Sequence, residues 1–100
     1  MDFEWNEAKA RSNLRKHGVS FETAARALLD PDAVITHDAD EWREERWRLI
    51  GAAHNQELLL VIFTDRGDEQ REIARLISAR QADRGERLIY ERNKMGKVHP

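Results

Sequence analysis

A chain of 100 residues with a net charge of −2 and no cysteine has room for one domain with a modest core. Disulfides, thiolate metal sites and cysteine nucleophiles are excluded, and a site must lie on an open sheet face or a shallow groove, since there is little interior to spare. The opening residues have neither a basic segment nor an apolar one, so no signal peptide is expected. The longest apolar run, 58–63, falls far short of the roughly 20 residues that span a bilayer. The expectation is a soluble, cytoplasmic protein.

Charge is unevenly spread. Residues 1–50 carry 8 Lys/Arg against 11 Asp/Glu, and residues 51–100 carry 9 against 8. Arginine outnumbers lysine 13 to 4. Guanidinium groups suit bidentate phosphate contacts, although a solvated arginine-rich surface gives the same count. The slight negative balance runs against a nucleic-acid binder.

In chain order, Phe3 and Trp5 alternate with polar residues, which predicts a short strand with one buried face. Asn6 is placed to cap a helix over 7–17, with Glu7 in its first turn and Lys16 and His17 in its last. Gly18 suits a left-handed stop. Ser20 then caps a second helix, with Val19 and Ala24 as its hydrophobic staple. Phe21, Ala24, Ala25 and Leu28 fall on one face of that helix. Asp30 and Pro31 end it, because a residue before proline leaves the helical region.

The period then changes to two. A strand is expected over 33–37, followed by an acidic turn over 38–45. From 46 to 53 the residues alternate, with Trp47, Leu49, Gly51 and Ala53 on one face and Arg46, Arg48, Ile50 and Ala52 on the other. The apolar run from Leu58 to Thr64 reads as a central strand covered on both sides. Turns at 54–57 and 65–68 and a strand over 71–79 complete an antiparallel meander. Asp83 and Glu86 form a capping-box pair for a last helix to about residue 93, anchored by Leu88 and Ile89 with Tyr90. The fold class is α+β. Its antiparallel sheet has three or four strands, with two N-terminal helices and one C-terminal helix packed on it, and residues 1–100 form a single domain.

The chain resembles the BrnT family of toxins. The resemblance rests on Phe3, Trp5, Asn6, Lys9 and Asn13, on the run from Lys16 to Glu22, and on Asp30-Pro31. It continues through Glu45-Arg46, the Leu49-Ile50-Gly51 strand, Thr64-Asp65-Arg66 and Ile77-Ser78-Ala79-Arg80, and ends on Glu86-Arg87 and Tyr90-Glu91. Asn6 stands where the family usually has Asp, and Thr23 where it commonly has Glu; both are at helix starts and bear on stability. The resemblance implies a RelE-like fold and a metal-independent endoribonuclease that needs no cofactor. It also implies a ribbon-helix-helix antitoxin as partner (BrnA-like), with operator DNA contacted only through the antitoxin complex.

Metal-free RNA cleavage uses the 2′-hydroxyl as nucleophile, needs charge stabilisation at the phosphoryl oxygens, and needs proton transfer. On that footing the catalytic candidates are Arg66, Arg80, Lys16 and His17. Arg66 and Arg80 end successive antiparallel strands, so they need a strong twist or a fold-back to share a groove, and each also reads as a rim ion pair. Lys16 and His17 read equally as helix-end charges. Arg46, Arg71, Arg75 and Ser78 are RNA-binding candidates if they share the uncovered sheet face, as is Arg48; otherwise they are solvated. Glu45 is a base or a partner for Arg46. Tyr90 reads as core-edge packing and Trp47 as core, while Trp42 in the acidic loop reads as antitoxin-facing surface. His37, His54 and His99 show no metal-ligand spacing. The competing class is a binding module that docks an antitoxin-like partner or RNA without catalysis.

Overall fold

A computed structural model describes residues 1–38 and 45–98. Trp42 and His99 lie outside the described residues. The element order is β1 (Asp2–Glu4), α1 (Glu7–His17), α2 (Phe21–Ala27), β2 (Val34–His37), β3 (Trp47–Ala52), β4 (Leu58–Asp65), β5 (Ile73–Gln81) and α3 (Arg84–Val98). The strands make one five-stranded sheet in the order β1-β5-β4-β3-β2. The α+β class holds. The sheet gains a strand over the three or four expected because β1 joins it, pairing in parallel with β5 (Phe3 opposite Ala74). No described helix is long and apolar enough to cross a membrane.

The local signals explain the N-terminal half. Asn6 accepts a bond from the Lys9 backbone N–H, and Gly18 ends α1 at φ 71°, a conformation glycine adopts without strain. Ser20 accepts from the Thr23 backbone N–H. α2 ends at Ala27, three residues before Asp30. The Asp30 carboxylate then ties three elements together. It accepts from the Asp32 N–H at 2.9 Å, the Ala52 N–H at 2.8 Å and the Tyr90 hydroxyl at 2.7 Å. Burial pushes the Asp30 carboxyl up, but these bonds outweigh it and hold the pKa below the usual carboxylate value. Burial and then the Asp30 carboxylate push the Tyr90 phenol up.

Two cores flank the sheet. Phe21, Ala24, Ala27 and Leu28 of the α2 segment pack with Leu49, Leu59, Val61, Ala74, Leu76 and Ala79 on one face. Gly51 permits this approach, since a Cβ there would meet the Ala27 carbonyl oxygen at 2.6 Å. On the other face Tyr90 covers Ile50, Leu58, Leu60 and Ala82. Asn13 is buried under α1, where its amide donates to the carbonyls of Val19 (3.0 Å) and Ala79 (2.8 Å) and accepts from the Ala79 N–H (3.1 Å). It thereby completes the β5 edge beyond the short β1.

Two expectations need correction. β5 begins at Ile73, not 71. Asp68 holds the turn open longer, because its carboxylate accepts from the Gln70 and Arg71 N–H groups and its own N–H donates to the Arg71 carbonyl. Leu88 and Ile89 do not anchor α3, since each is 51% exposed. The anchors are Glu86, Tyr90 and Asn93, which face the sheet through hydrogen bonds to Arg80, Asp30 and the Asp32 carbonyl.

Candidate active site

The face that carries α3 is covered over only part of its length. Beyond the Leu60 row it presents polar side chains. Alternation in β3 puts Arg48 on this face, since Leu49 is in the opposite core, and puts Arg46 there too. In β5, Arg75 and Arg80 are five residues apart, so regular alternation would send them to opposite faces. A register shift brings them together. Ile62 is opposite Ser78 and Phe63 is opposite Leu76, leaving Ile77 as the extra residue of a bulge. Ala74, Leu76 and Ala79 therefore all point to the α2 core, while Arg75, Ser78 and Arg80 share the other face.

The result is a set of cross-strand rows. Arg48, Ile62 and Ser78 form one row, and Ile50, Leu60 and Arg80 form the next. Thr64 lies opposite Arg75. The register of Trp47 with Phe63, continued by one residue, brings Arg46 to the other side of Thr64.

At the α3 border, Glu86 gathers two arginines. Its carboxylate accepts both terminal nitrogens of Arg80 at 2.9 Å in a bidentate fork, and Arg48 Nη2 at 3.2 Å. The capping box forms as expected: the Glu86 N–H donates to Asp83 and the Asp83 N–H to Glu86, each at 2.8 Å. The Glu86 side chain is 9% exposed, whereas those of Arg48 and Arg80 are 41% and 38% exposed. Burial raises the Glu86 carboxyl, but the Arg80 fork, the Asp83 N–H and Arg48 outweigh it, and the pKa falls below the usual value. The Arg80 guanidinium is held more firmly protonated, first by its bonds to Glu86. A groove of about 390 Å³ lined by Thr36, Arg48, Ile50, Glu86 and Ile89 among others opens beside this cluster.

Other sequence candidates are placed elsewhere. Arg66 follows β4, six residues beyond Leu60, the partner of Arg80, or about 20 Å along the strand. The two arginines lie at opposite ends of the β4–β5 pair. Lys16 and His17 are exposed at the end of α1, in the layer opposite α3, and no described hydrogen bond or ion pair joins them to the arginine cluster. Arg71 precedes β5 and pairs with Asp2 at 2.8 Å, both largely exposed. Arg75 pairs with Glu4 at 2.8 Å. Glu45 lies 3.7 Å from His37, and the His37 ring packs edge-on against Trp47 at 5.2 Å. Tyr90 is buried, as core packing requires. Among the described residues no three His, Asp or Glu side chains are grouped to hold a metal ion.

Two residues gain significance from the structure alone. Glu86 was legible only as a helix cap. Thr64 is 3% exposed, and its Oγ1 is buried without a hydrogen-bond partner among the described residues.

Fold and site together define a small α+β protein with an arginine-lined, partly open sheet face, suited to binding phosphate esters. The profile of the family described as "Ribonuclease toxin, BrnT, of type II toxin-antitoxin system" matches residues 5–86, and the chain belongs to that family. A type II family implies an antitoxin partner. Among solved structures, the crystal structure of the Brucella abortus ribonuclease toxin BrnT is similar, with a TM-score of 0.63 and 27% identity, covering 84% of this chain and 99% of that one. No curated protein sequence matches the chain.

Proposed function

We propose that this chain is a metal-independent endoribonuclease that binds RNA on the arginine-bearing half of its sheet. The observation that carries the reading is the convergence of Arg48 and Arg80, from separate strands, on the single carboxylate of Glu86. Two guanidinium groups that can share one oxyanion are suited to the charge that builds on a phosphoryl group. In the reaction the RNA 2′-oxygen attacks the adjacent phosphorus and the bond to the 5′-oxygen breaks. The products are a 2′,3′-cyclic phosphate and a 5′-hydroxyl. The 2′-hydroxyl proton leaves to water, and the 5′-oxygen takes one up.

The proposal keeps Arg80 as catalytic and adds Arg48. Arg46, Arg75 and Ser78 remain RNA-binding residues on the same face. Arg66 marks the far end of this track, and Arg71 belongs to the β1–β5 margin. Lys16 and His17, exposed at the end of α1, are left outside the site in this reading. Residues 1–100 act as one domain in the cytoplasm, without a cofactor. The antitoxin is of the ribbon-helix-helix (BrnA-like) type, and operator DNA is reached only through the antitoxin complex.

One observation favours a second reading. Arg48, Arg71, Arg75 and Arg80 are each paired with a carboxylate of the chain itself, as in a module that binds a partner without catalysis. Expression in bacteria separates the two. The ribonuclease reading expects growth arrest that Arg80→Ala relieves while antitoxin binding persists; arrest unchanged by Arg80→Ala with Arg48→Ala would sink the site.

A further inference from the structure

We propose that Thr64, with Arg46 and Arg75 on either side of it, forms a second phosphate subsite, for the nucleotide next to the one cleaved. The inference rests on the ribonuclease reading and deepens it. Its starting point is the Thr64 hydroxyl. Thr64 is 3% exposed and its Oγ1 has no hydrogen-bond partner among the described residues. A buried hydroxyl without a partner is worse for folding than a methyl group of the same shape. Valine would serve this strand position at least as well. The hydroxyl therefore suits a ligand better than it suits the fold.

The surroundings indicate the ligand's chemistry. Arg75 is directly opposite Thr64 on β5, and the β3–β4 register carries Arg46 to its other flank. Arg75 is oriented by Glu4 through a single terminal nitrogen, Nη1, which leaves other donors of the fork for an oxyanion. A phosphodiester seated between the two guanidinium groups would accept the Thr64 proton.

Spacing links this row to the first cluster. Thr64 is two residues along β4 from Ile62, the partner row of Arg48 and Ser78, a step of about 7 Å. That is close to the distance between neighbouring phosphates in an RNA strand. An RNA backbone laid along β4 would place one phosphate at Arg48 and Arg80 and its neighbour at Thr64.

The test uses fluorescence anisotropy with a 2′-O-methyl oligoribonucleotide, which binds but cannot be cleaved at the 2′-oxygen. Thr64→Val should bind about tenfold more weakly, the loss of one hydrogen bond to a charged acceptor. It should melt no lower than the wild type, and Thr64→Ser should restore most of the affinity. Arg75→Met should also weaken binding and reduce the slope of log affinity against log salt by about one, while Thr64→Val leaves that slope unchanged. If Thr64→Val binds like the wild type while Arg80→Ala does not, the subsite is wrong and the ribonuclease reading stands. If Thr64→Val loses stability, the hydroxyl is structural and the subsite is also wrong. A wild-type protein that binds no oligonucleotide overturns both.

Discussion

Replacing Glu86 by glutamine removes one charge while keeping the shape and an acceptor for the Asp83 N–H. The carboxylate holds Arg80 through two bonds of 2.9 Å and Arg48 through one of 3.2 Å. Fully buried pairs cost about 3–5 kcal/mol when broken, and exposed pairs about 0.2–1 kcal/mol. Here the carboxylate is buried but both arginines are about 40% exposed, so solvent screening puts the loss nearer the lower range. About 1 kcal/mol per arginine gives a total of about 2 kcal/mol at pH 7. In a domain of this size that lowers the melting temperature by about 8–16 °C.

The pH dependence has a definite sign. Folding lowers the Glu86 pKa. The stability it contributes is therefore complete above the unfolded glutamate value of about 4.3 and is lost as pH falls through the lower folded value. Urea denaturation of wild type and Glu86→Gln at pH 7 and pH 3 reads this directly. The gap of about 2 kcal/mol at pH 7 should narrow as pH falls toward 3, as the wild-type carboxyl begins to take up a proton. A gap that does not narrow between pH 7 and pH 3, or no gap at pH 7, refutes the assignment of this stabilisation to charge.

Other predictions rest on separate contacts. Asn13→Ala removes three buried hydrogen bonds and should cost about 3 kcal/mol in chemical denaturation. Gly51→Ala drives a Cβ to 2.6 Å from the Ala27 carbonyl oxygen and should cost about 1–3 kcal/mol through displacement of α2. Tyr90→Phe leaves Asp30 its two backbone donors and should cost only about 1 kcal/mol. A larger loss would show that the phenol–carboxylate bond locks α3 onto the sheet.

Short-range chemistry was readable from the sequence, and long-range pairing was not. The caps at Asn6 and Ser20, the stop at Gly18 and the Asp83–Glu86 box depend on residues within a few positions of one another, and all form as expected. The alternation around Leu49 correctly put Arg48 on the face opposite the α2 core. The pairing of β1 with β5 joins residues about seventy apart, and no local pattern announces it. The bulge at Ile77 is equally silent, yet it decides that Arg75 and Arg80 share a face. The burial of α3 was misread because its inward stripe is polar. Glu86, Tyr90 and Asn93 meet the sheet through hydrogen bonds, while Leu88 and Ile89 point outward. The separation of Arg66 and Arg80 along β4 and β5 follows from their antiparallel register.

The central claim is that RNA is cut on the Arg48–Arg80 face without a metal. The most direct measurement incubates purified protein with RNA in excess chelator and compares wild type with Arg80→Ala. The account predicts cleavage by the wild type to 2′,3′-cyclic phosphate ends, with a rate loss of about 10²–10³ in the variant, as for removal of one oxyanion donor. Cleavage that requires added divalent cation, or an Arg80→Ala protein that cuts at the wild-type rate, would contradict it.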